Sequence, residues 1–211
     1  SSLVALILLS PILLPIMVLL KLTSEGEVFY LQQRIGLKNK PFMIYKFATM
    51  LKNSSKMKGG HITVKNDPRV TFVGSFLRKS KINELPQLLN VFLGHMSVVG
   101  PRPLMRISFE SYTDNIQKII YNVKPGLTGI GSIIFRDEEE LITKVKNNDG
   151  DILDFYNNTI YPFKGKLEIW YQKNNSFLVD CKLIFITIWV ILFSKSKVYD
   201  KLFTNLPKRN F

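Results

Sequence analysis

Residues 3–20, LVALILLSPILLPIMVLL, form a run of 18 residues without a charge. That is close to the shortest helix able to span a bilayer. Ser10, Pro11 and Pro15 lie at its middle. Each proline lacks a backbone donor and its ring crowds the preceding turn, so a bend is expected around Ser10 and Pro11. A bent helix of this length can enter a membrane and return to the same face, its broken backbone satisfied by the Ser10 hydroxyl or by water. The polar and basic stretch KLTSEGEVFYLQQRIGLKNK that follows favours exit on the cytoplasmic side. A cleaved signal peptide fits less well, because the run lacks both a basic start and a small-residue cleavage site. The chain opens on Ser1 rather than methionine, and further residues upstream are expected.

The whole chain of 211 residues is long enough for one soluble core with an attached segment. The expected division is residues 1–22 as the membrane segment and 23–211 as one membrane-associated domain. Lysine and arginine total 29 against 16 acidic residues, a net charge of +13. Such a surface prefers a polyanion, an anionic lipid or a phosphorylated small molecule. The single Cys181 excludes an internal disulfide and fits a reducing compartment.

Past residue 28 the pattern shortens. EVFYLQQRIG and KPFMIYKFATM read as strands joined by a turn over residues 36–40. KNSSKMKGGHITVKNDPR reads as a loop. Phe72, Val73, Phe76 and Leu77 recur at helical spacing, as do Leu85, Leu88, Leu89 and Phe92, which predicts two short amphipathic helices meeting near Asn83. VVGPRPL reads as a rigid loop presenting Arg102. Residues 107–123 read as one amphipathic helix, GLTGIGSIIFRDEEE as a glycine turn and a short apolar strand or extended stretch, and residues 138–147 and 151–161 as helices. Residues 183–193 form an apolar run too short to span, suited to a core or an interface. The sum is an α+β chain, mostly helical, with a small β-hairpin or sheet.

Arg34, Lys46, Arg69, Arg78, Arg102 and Arg136 all fall in or beside turn-rich segments. Arginines fixed on loops suit paired capture of phosphate oxygens. Lys38, Lys40, Lys56 and Lys58 read instead as solvated or lipid-facing charge. A nucleic-acid partner is disfavoured: the strands alternate basic and aromatic residues, but no recognised binding motif is present and an apolar run serves no such role. Zinc is excluded by one cysteine and two distant histidines, His61 and His95. Magnesium needs only one or two carboxylates beside substrate phosphates, and Glu84, Asp67 and Asp137 are the candidates. No serine-hydrolase constellation appears, and the glycines of GLTGIG are a weak phosphate-loop signal. Glu84 alone reads equally as an acid at a helix start, favoured by the helix dipole.

FYLQQRIGLKNKPFMIYKFATM, DPRVTFVGSFLRKSKINELPQLLNVFLGHMSVVGPRPL, VKPGLTGIGS and NNSFLVDCKLIFIT, in that order, resemble the successive motifs of the bacterial sugar transferase family, the monotopic phosphoglycosyl transferases. The resemblance implies transfer of a sugar phosphate from a UDP-sugar to undecaprenyl phosphate with release of UMP, starting a surface glycan at the cytoplasmic face of the bacterial inner membrane. It implies a re-entrant helix broken at Ser10 and Pro11, interfacial amphipathic helices and Mg2+. It also implies contact with anionic membrane lipid and with downstream glycosyltransferases, with a homodimer to be considered. An aspartate-glutamate pair is implied at the helix junction, the aspartate attacking the sugar diphosphate to form a phosphosugar-enzyme intermediate. Arg78 and Arg102 would grip phosphates, Arg136 the diphosphate or uridine end, and Lys46 would add to phosphate binding.

The chain departs from that pattern where the family has the aspartate: it reads Asn83, and an amide is a poor nucleophile and a poor magnesium ligand. Ala48 stands where a basic residue is usual, His95 where aspartate is usual, and the segment GIGS at 129–132 where glutamine is common. Two expectations follow. In one, Glu84 keeps an essential role, as nucleophile or as metal ligand and base. In the other, the chain is a catalytically silent homologue that binds nucleotide sugar or partner enzymes at the membrane.

Overall fold

A computed structural model of the chain describes residues 2–23, 25–57, 63–64, 66–193, 196–203 and 205–211, with the backbone alone for 2–8 and 55. Lys58 and His61 lie outside the described residues. Helix α1 (Ser2–Thr23) is followed by strands β1 (Phe29–Ile35) and β2 (Pro41–Phe47), which pair as a hairpin across a 3-10 turn, Leu37–Asn39. Lys38 and Asn39 take left-handed backbone angles there, φ 54° and 58°. Then come α2 (Phe72–Lys79), a 3-10 turn (Ile82–Gln87), α3 (Leu88–Phe92), β3 (Ser97–Val99), α4 (Arg106–Glu110) and α5 (Asp114–Ile119). β4 (Gly126–Thr128), α6 (Ile130–Ile134), α7 (Glu138–Asn147), α8 (Ile152–Phe155), α9 (Tyr161–Asn174), α10 (Phe177–Leu192) and α11 (Val198–Leu202) complete the order. The chain is mostly helical, as expected, with the predicted hairpin and a second two-stranded sheet, β3 parallel to β4, that the sequence did not suggest.

Two compact units emerge, one of residues 1–33 and 43–94, the other of residues 34–42 and 95–211. In the first, Leu13, Ile16, Met17 and Leu20 form one stripe of α1, spaced as successive helical turns require, and pack on Phe47 and Leu77 with Val28, Val73 and Ile82. Leu20 is wholly buried. Burying a side chain to that extent contributes about 1.5–3 kcal/mol. Leu14, Val18 and Leu22 remain exposed on α1. Ser10, Pro11 and Pro15 all lie inside α1, whose helical assignment runs from Ser2 to Thr23. Among the described residues no helix is long and apolar enough to cross a membrane.

The second unit is built around Ile35, Phe109, Tyr112, Ile116, Ile120 and Tyr121. Residues 107–123 are two short helices rather than one. The chain turns at residues 111–113, where the Gln117 amide donates to the Tyr112 carbonyl at 2.6 Å. Serine and threonine compete for local backbone bonds and favour such a break. The apolar part of GLTGIGSIIF is helix α6, not a strand; the strand lies earlier, at Gly126–Thr128. The helix read at 151–161 runs on through a π-helical stretch, Tyr156–Ile160, into α9. There Gly165 lets α9 close on α5: a Cβ at that position would meet Ile116 Cδ1 at 2.4 Å.

Candidate active site

In the first unit, Thr71 caps α2 by accepting from the Gly74 amide at 2.9 Å, and the Thr71 amide donates to the Thr49 carbonyl. A Cβ on Gly74 would sit 2.1 Å from that same carbonyl, so only glycine allows this approach. At the other end the Ser80 hydroxyl bonds back to Phe76, and Lys81 adopts φ 62°, which turns the chain out of the helix. The sequence INELPQ then folds as a tight 3-10 turn, with Pro86 inside it.

Asn83 and Glu84 are carried on this turn. Glu84 Oε1 lies 3.6 Å from Lys46 Nζ, with side chains only 14% and 15% exposed. Lys46 shares a face of β2 with Ile44, two residues before; Ile44 is buried, and the lysine stem is sheltered with it. Asn90 fixes the distance between strand and turn. Fully buried on α3, it donates to the Met43 carbonyl at 2.7 Å and accepts from the Tyr45 amide at 3.0 Å. Asn83 is 7% exposed, and its Oδ1 has no hydrogen-bond partner among the described residues. Buried polar atoms are normally satisfied, so this acceptor marks a place where a donor or cation would be welcome. Arg78 is half-buried in the last turn of α2 and is already engaged within the fold.

In the second unit, β3 pairs with β4 in the register Ser97 with Gly126 and Val99 with Thr128. VVGPRPL is thus a strand at its start and a loop only from Gly100. Three glycines make the crossing possible: a Cβ on Gly100 would lie 2.4 Å from the Lys124 carbonyl oxygen, one on Gly126 2.1 Å from the Gly100 nitrogen, and one on Gly129 2.1 Å from the Gly100 oxygen. Tyr121 clamps the loop that follows, its hydroxyl donating to the Arg102 carbonyl and accepting from the Leu104 amide, both at 2.8 Å. Burial pushes that phenol well above its ordinary range. Arg34 adds a bond to the Pro103 carbonyl at 3.2 Å. The Arg102 guanidinium reaches Ser132 on α6 at 3.5 Å.

Arg136 lies between α6 and α7, half-buried, and burial lowers its pKa. The two residues after it are acids, each held by a cation. Glu138 is bound by Lys164 at 2.7 and 2.8 Å and by the Tyr156 hydroxyl at 2.8 Å. Burial pushes Glu138 up, but Lys164, the Tyr156 hydroxyl and the charge of Arg102 together hold the carboxyl below its usual value. Asp137 takes two bonds from Arg209, at 2.7 and 2.5 Å. Asp67, in the first unit, is likewise gripped by Arg69 at 2.9 and 2.7 Å, which holds its carboxyl below the usual range. Of the three carboxylates considered for magnesium, two are therefore bonded to a guanidinium through both oxygens, and Glu84 is the one on the turn. His95 is exposed, its ring beside Phe42. Among the described residues no three histidine, cysteine or acidic side chains gather as a metal cluster.

The structure thus brings Lys46, Asn83 and Glu84 together and sets Arg102 and Arg136 on either side of α6 in sequence. Asn90 and Tyr121 escaped the sequence reading because nothing distinguishes a clamping amide or phenol from ordinary core until its partners are known.

Residues 1–194 match the family model for the bacterial sugar transferases. The chain is similar to the UDP-glucose:undecaprenyl-phosphate glucose-1-phosphate transferase of Klebsiella pneumoniae, 38% identical over 201 residues, covering 93% of this chain and 39% of that protein. It is similar to the UDP-N-acetylgalactosamine-undecaprenyl-phosphate N-acetylgalactosaminephosphotransferase of Aeromonas hydrophila, 36% identical over 197 residues, 91% of this chain and 42% of that one. It is also 33% identical over 208 residues to the exopolysaccharide production protein ExoY of Sinorhizobium fredii, 92% of this chain and 83% of the relative. The chain spans well under half the length of the first two. With four fifths of its own length and more aligned to each relative, and the turn of Asn83 and Glu84 inside the matched stretch, the chain belongs to the bacterial sugar transferase family.

Proposed function

We propose that the protein transfers a sugar phosphate from a UDP-sugar to undecaprenyl phosphate, releasing UMP, as the first membrane step of surface-glycan synthesis. The observation that carries this reading is the sheltered Glu84 beside Lys46 on a rigid turn, in a chain whose relatives are named for that transfer. Glu84 is the group with the chemistry to attack: a carboxylate oxygen forms a bond to the sugar-bearing phosphorus, and the bond to UMP breaks with its electron pair leaving on UMP. An oxygen of undecaprenyl phosphate then takes the sugar phosphate, and Glu84 leaves as the carboxylate. Lys46, Arg78, Arg102 and Arg136 serve to bind and orient phosphate oxygens.

Magnesium fits here as an ion held chiefly by substrate phosphates, with Glu84 as the protein oxygen. When bound, it would offset charge on the transferring phosphate. We place the protein at the cytoplasmic face of the bacterial inner membrane, with α1 re-entrant. The apolar residues exposed on α1, and Phe72 and Phe76 on α2 at 95% and 65% exposure, support a seat in lipid.

Asn83 supports a second reading, a silent homologue that binds nucleotide sugar without turnover. The deciding assay is UMP release by the full chain with undecaprenyl phosphate and a panel of UDP-sugars, beside Glu84→Gln and Asn83→Asp. Turnover abolished by Glu84→Gln supports the transferase; turnover kept in that variant sinks the role of Glu84. No turnover until Asn83→Asp restores it supports the silent homologue.

A further inference from the structure

The sequence after Arg136 reads DEEE, four acids beside a residue assigned here to an anion. Taken as sequence, that is hostile ground for a phosphate, since juxtaposed like charges oppose binding. The fold removes the two nearest. Lys164 takes Glu138, as described, and Asp137 is taken by a residue from far along the chain, Arg209, which lies beyond the family match at residues 1–194.

Arg209 does more than pair with an acid. Its Nη1 also donates to the Ile134 carbonyl, the last of α6, at 3.1 Å. Its bonds therefore bracket the two residues between, Phe135 and Arg136. The guanidinium stands 5.7 Å over the Phe135 ring and 5.9 Å over that of Phe211. Phe211 in turn meets Phe163 at 5.6 Å and Phe155 at 6.1 Å, and Leu206 is buried, so the segment carrying Arg209 is anchored on both sides. Among the described residues no carboxylate pairs with Arg136. A half-buried guanidinium left without an acid is the arrangement an anion requires.

We propose that Arg209 is a positioning residue for Arg136: by holding the Asp137 carboxylate and the Ile134 carbonyl, it keeps the Arg136 guanidinium uncompensated for a phosphate of a nucleoside diphosphate. This rests on the assignment of Arg136 to the diphosphate end of the substrate. Without Arg209, Asp137 is released next to Arg136 and competes with the phosphate for its charge. The predicted signature is electrostatic, not merely mechanical.

The test is UDP binding to the full chain in detergent or nanodiscs, by calorimetry without added metal, for the unaltered protein and for Arg136→Ala, Arg209→Ala, Asp137→Asn and Arg209→Ala with Asp137→Asn. Arg136→Ala and Arg209→Ala should each weaken UDP by about tenfold, the scale of one charge-assisted contact. Asp137→Asn should bind UDP as the unaltered protein does, and the double variant should recover most of the loss. Unchanged affinity in Arg136→Ala overturns the assignment of Arg136 and this inference with it. A loss there with none in Arg209→Ala overturns the inference alone. A double variant as weak as Arg209→Ala, or an Asp137→Asn as weak, shows that Arg209 only supports the loop, and overturns the competition. Should Arg209→Ala fail to fold, Asp137→Asn still decides, since loop support and competition predict opposite results for it.

Discussion

Asn83 and Glu168 are both buried polar residues, and each leads to a different measurement. Asn83 stays neutral and leaves an acceptor unsatisfied. Glu168, on α9, is 5% exposed with its carboxyl against Gly131, where a Cβ would meet Oε1 at 2.8 Å. Burial pushes its pKa from an ordinary 4.5 up to about 8, with Lys164 pulling the other way. The folded protein therefore holds a proton that the unfolded chain gives up, and stability falls as pH rises from about 4.5 to about 8. Glu168→Gln should flatten that fall and raise stability near pH 8 by on the order of a few kcal/mol, read from urea unfolding at the two ends of the window. A variant with the same slope as the unaltered protein would remove Glu168 as its source. Glu84 stood out in the sequence because its surrounding motif is specific. Its ion pair with Lys46 did not, since strand β2 and the turn meet only in the fold.

Tyr121 shows how a single side chain can set an element. Removing its hydroxyl leaves the Leu104 amide and the Arg102 carbonyl without their partner, so Tyr121→Phe should cost about 1–3 kcal/mol in denaturant unfolding. If Arg102 grips phosphate, the same change should weaken UDP binding, while thermal unfolding stays cooperative. At this scale the sequence was readable where a local signal was strong. The hairpin around Gly36 and α7 appear as expected, while the two helices expected to meet near Asn83 are separated by the 3-10 turn that carries it. It misled where long-range packing overrode periodicity. The apolar GSIIF is helical because α6 lies against α9, and Phe72 and Phe76 share helical spacing with Leu77 yet are exposed. A periodic stripe reports amphipathicity, not which phase covers it.

Across the molecule, apolar exposure recurs in each unit separately: Leu14, Val18, Phe72 and Phe76 in the first, and Phe177, Leu178, Ile188 and Leu192 along α10 in the second. With a net charge of +13, both lipid insertion and anionic attraction are available. Phe72→Ser with Phe76→Ser should lower co-sedimentation with vesicles containing anionic lipid, and the loss should persist in high salt, because it removes apolar rather than charged contact. Equal binding by the variant would exclude α2 from the lipid contact.

The crossing of Gly100 with Gly126 and Gly129 also has a kinetic meaning. β3 and β4 are neighbours in space but lie far apart along the chain, with α4 and α5 made between them. Parallel pairings of that kind form slowly, because the intervening loop must close before any contact repays it. Arg102 hangs from the loop that this closure fixes, so a nascent chain still short of residue 129 cannot yet present it. The placement of Arg102 therefore arrives late, after the helices that the same stretch of sequence builds on its own.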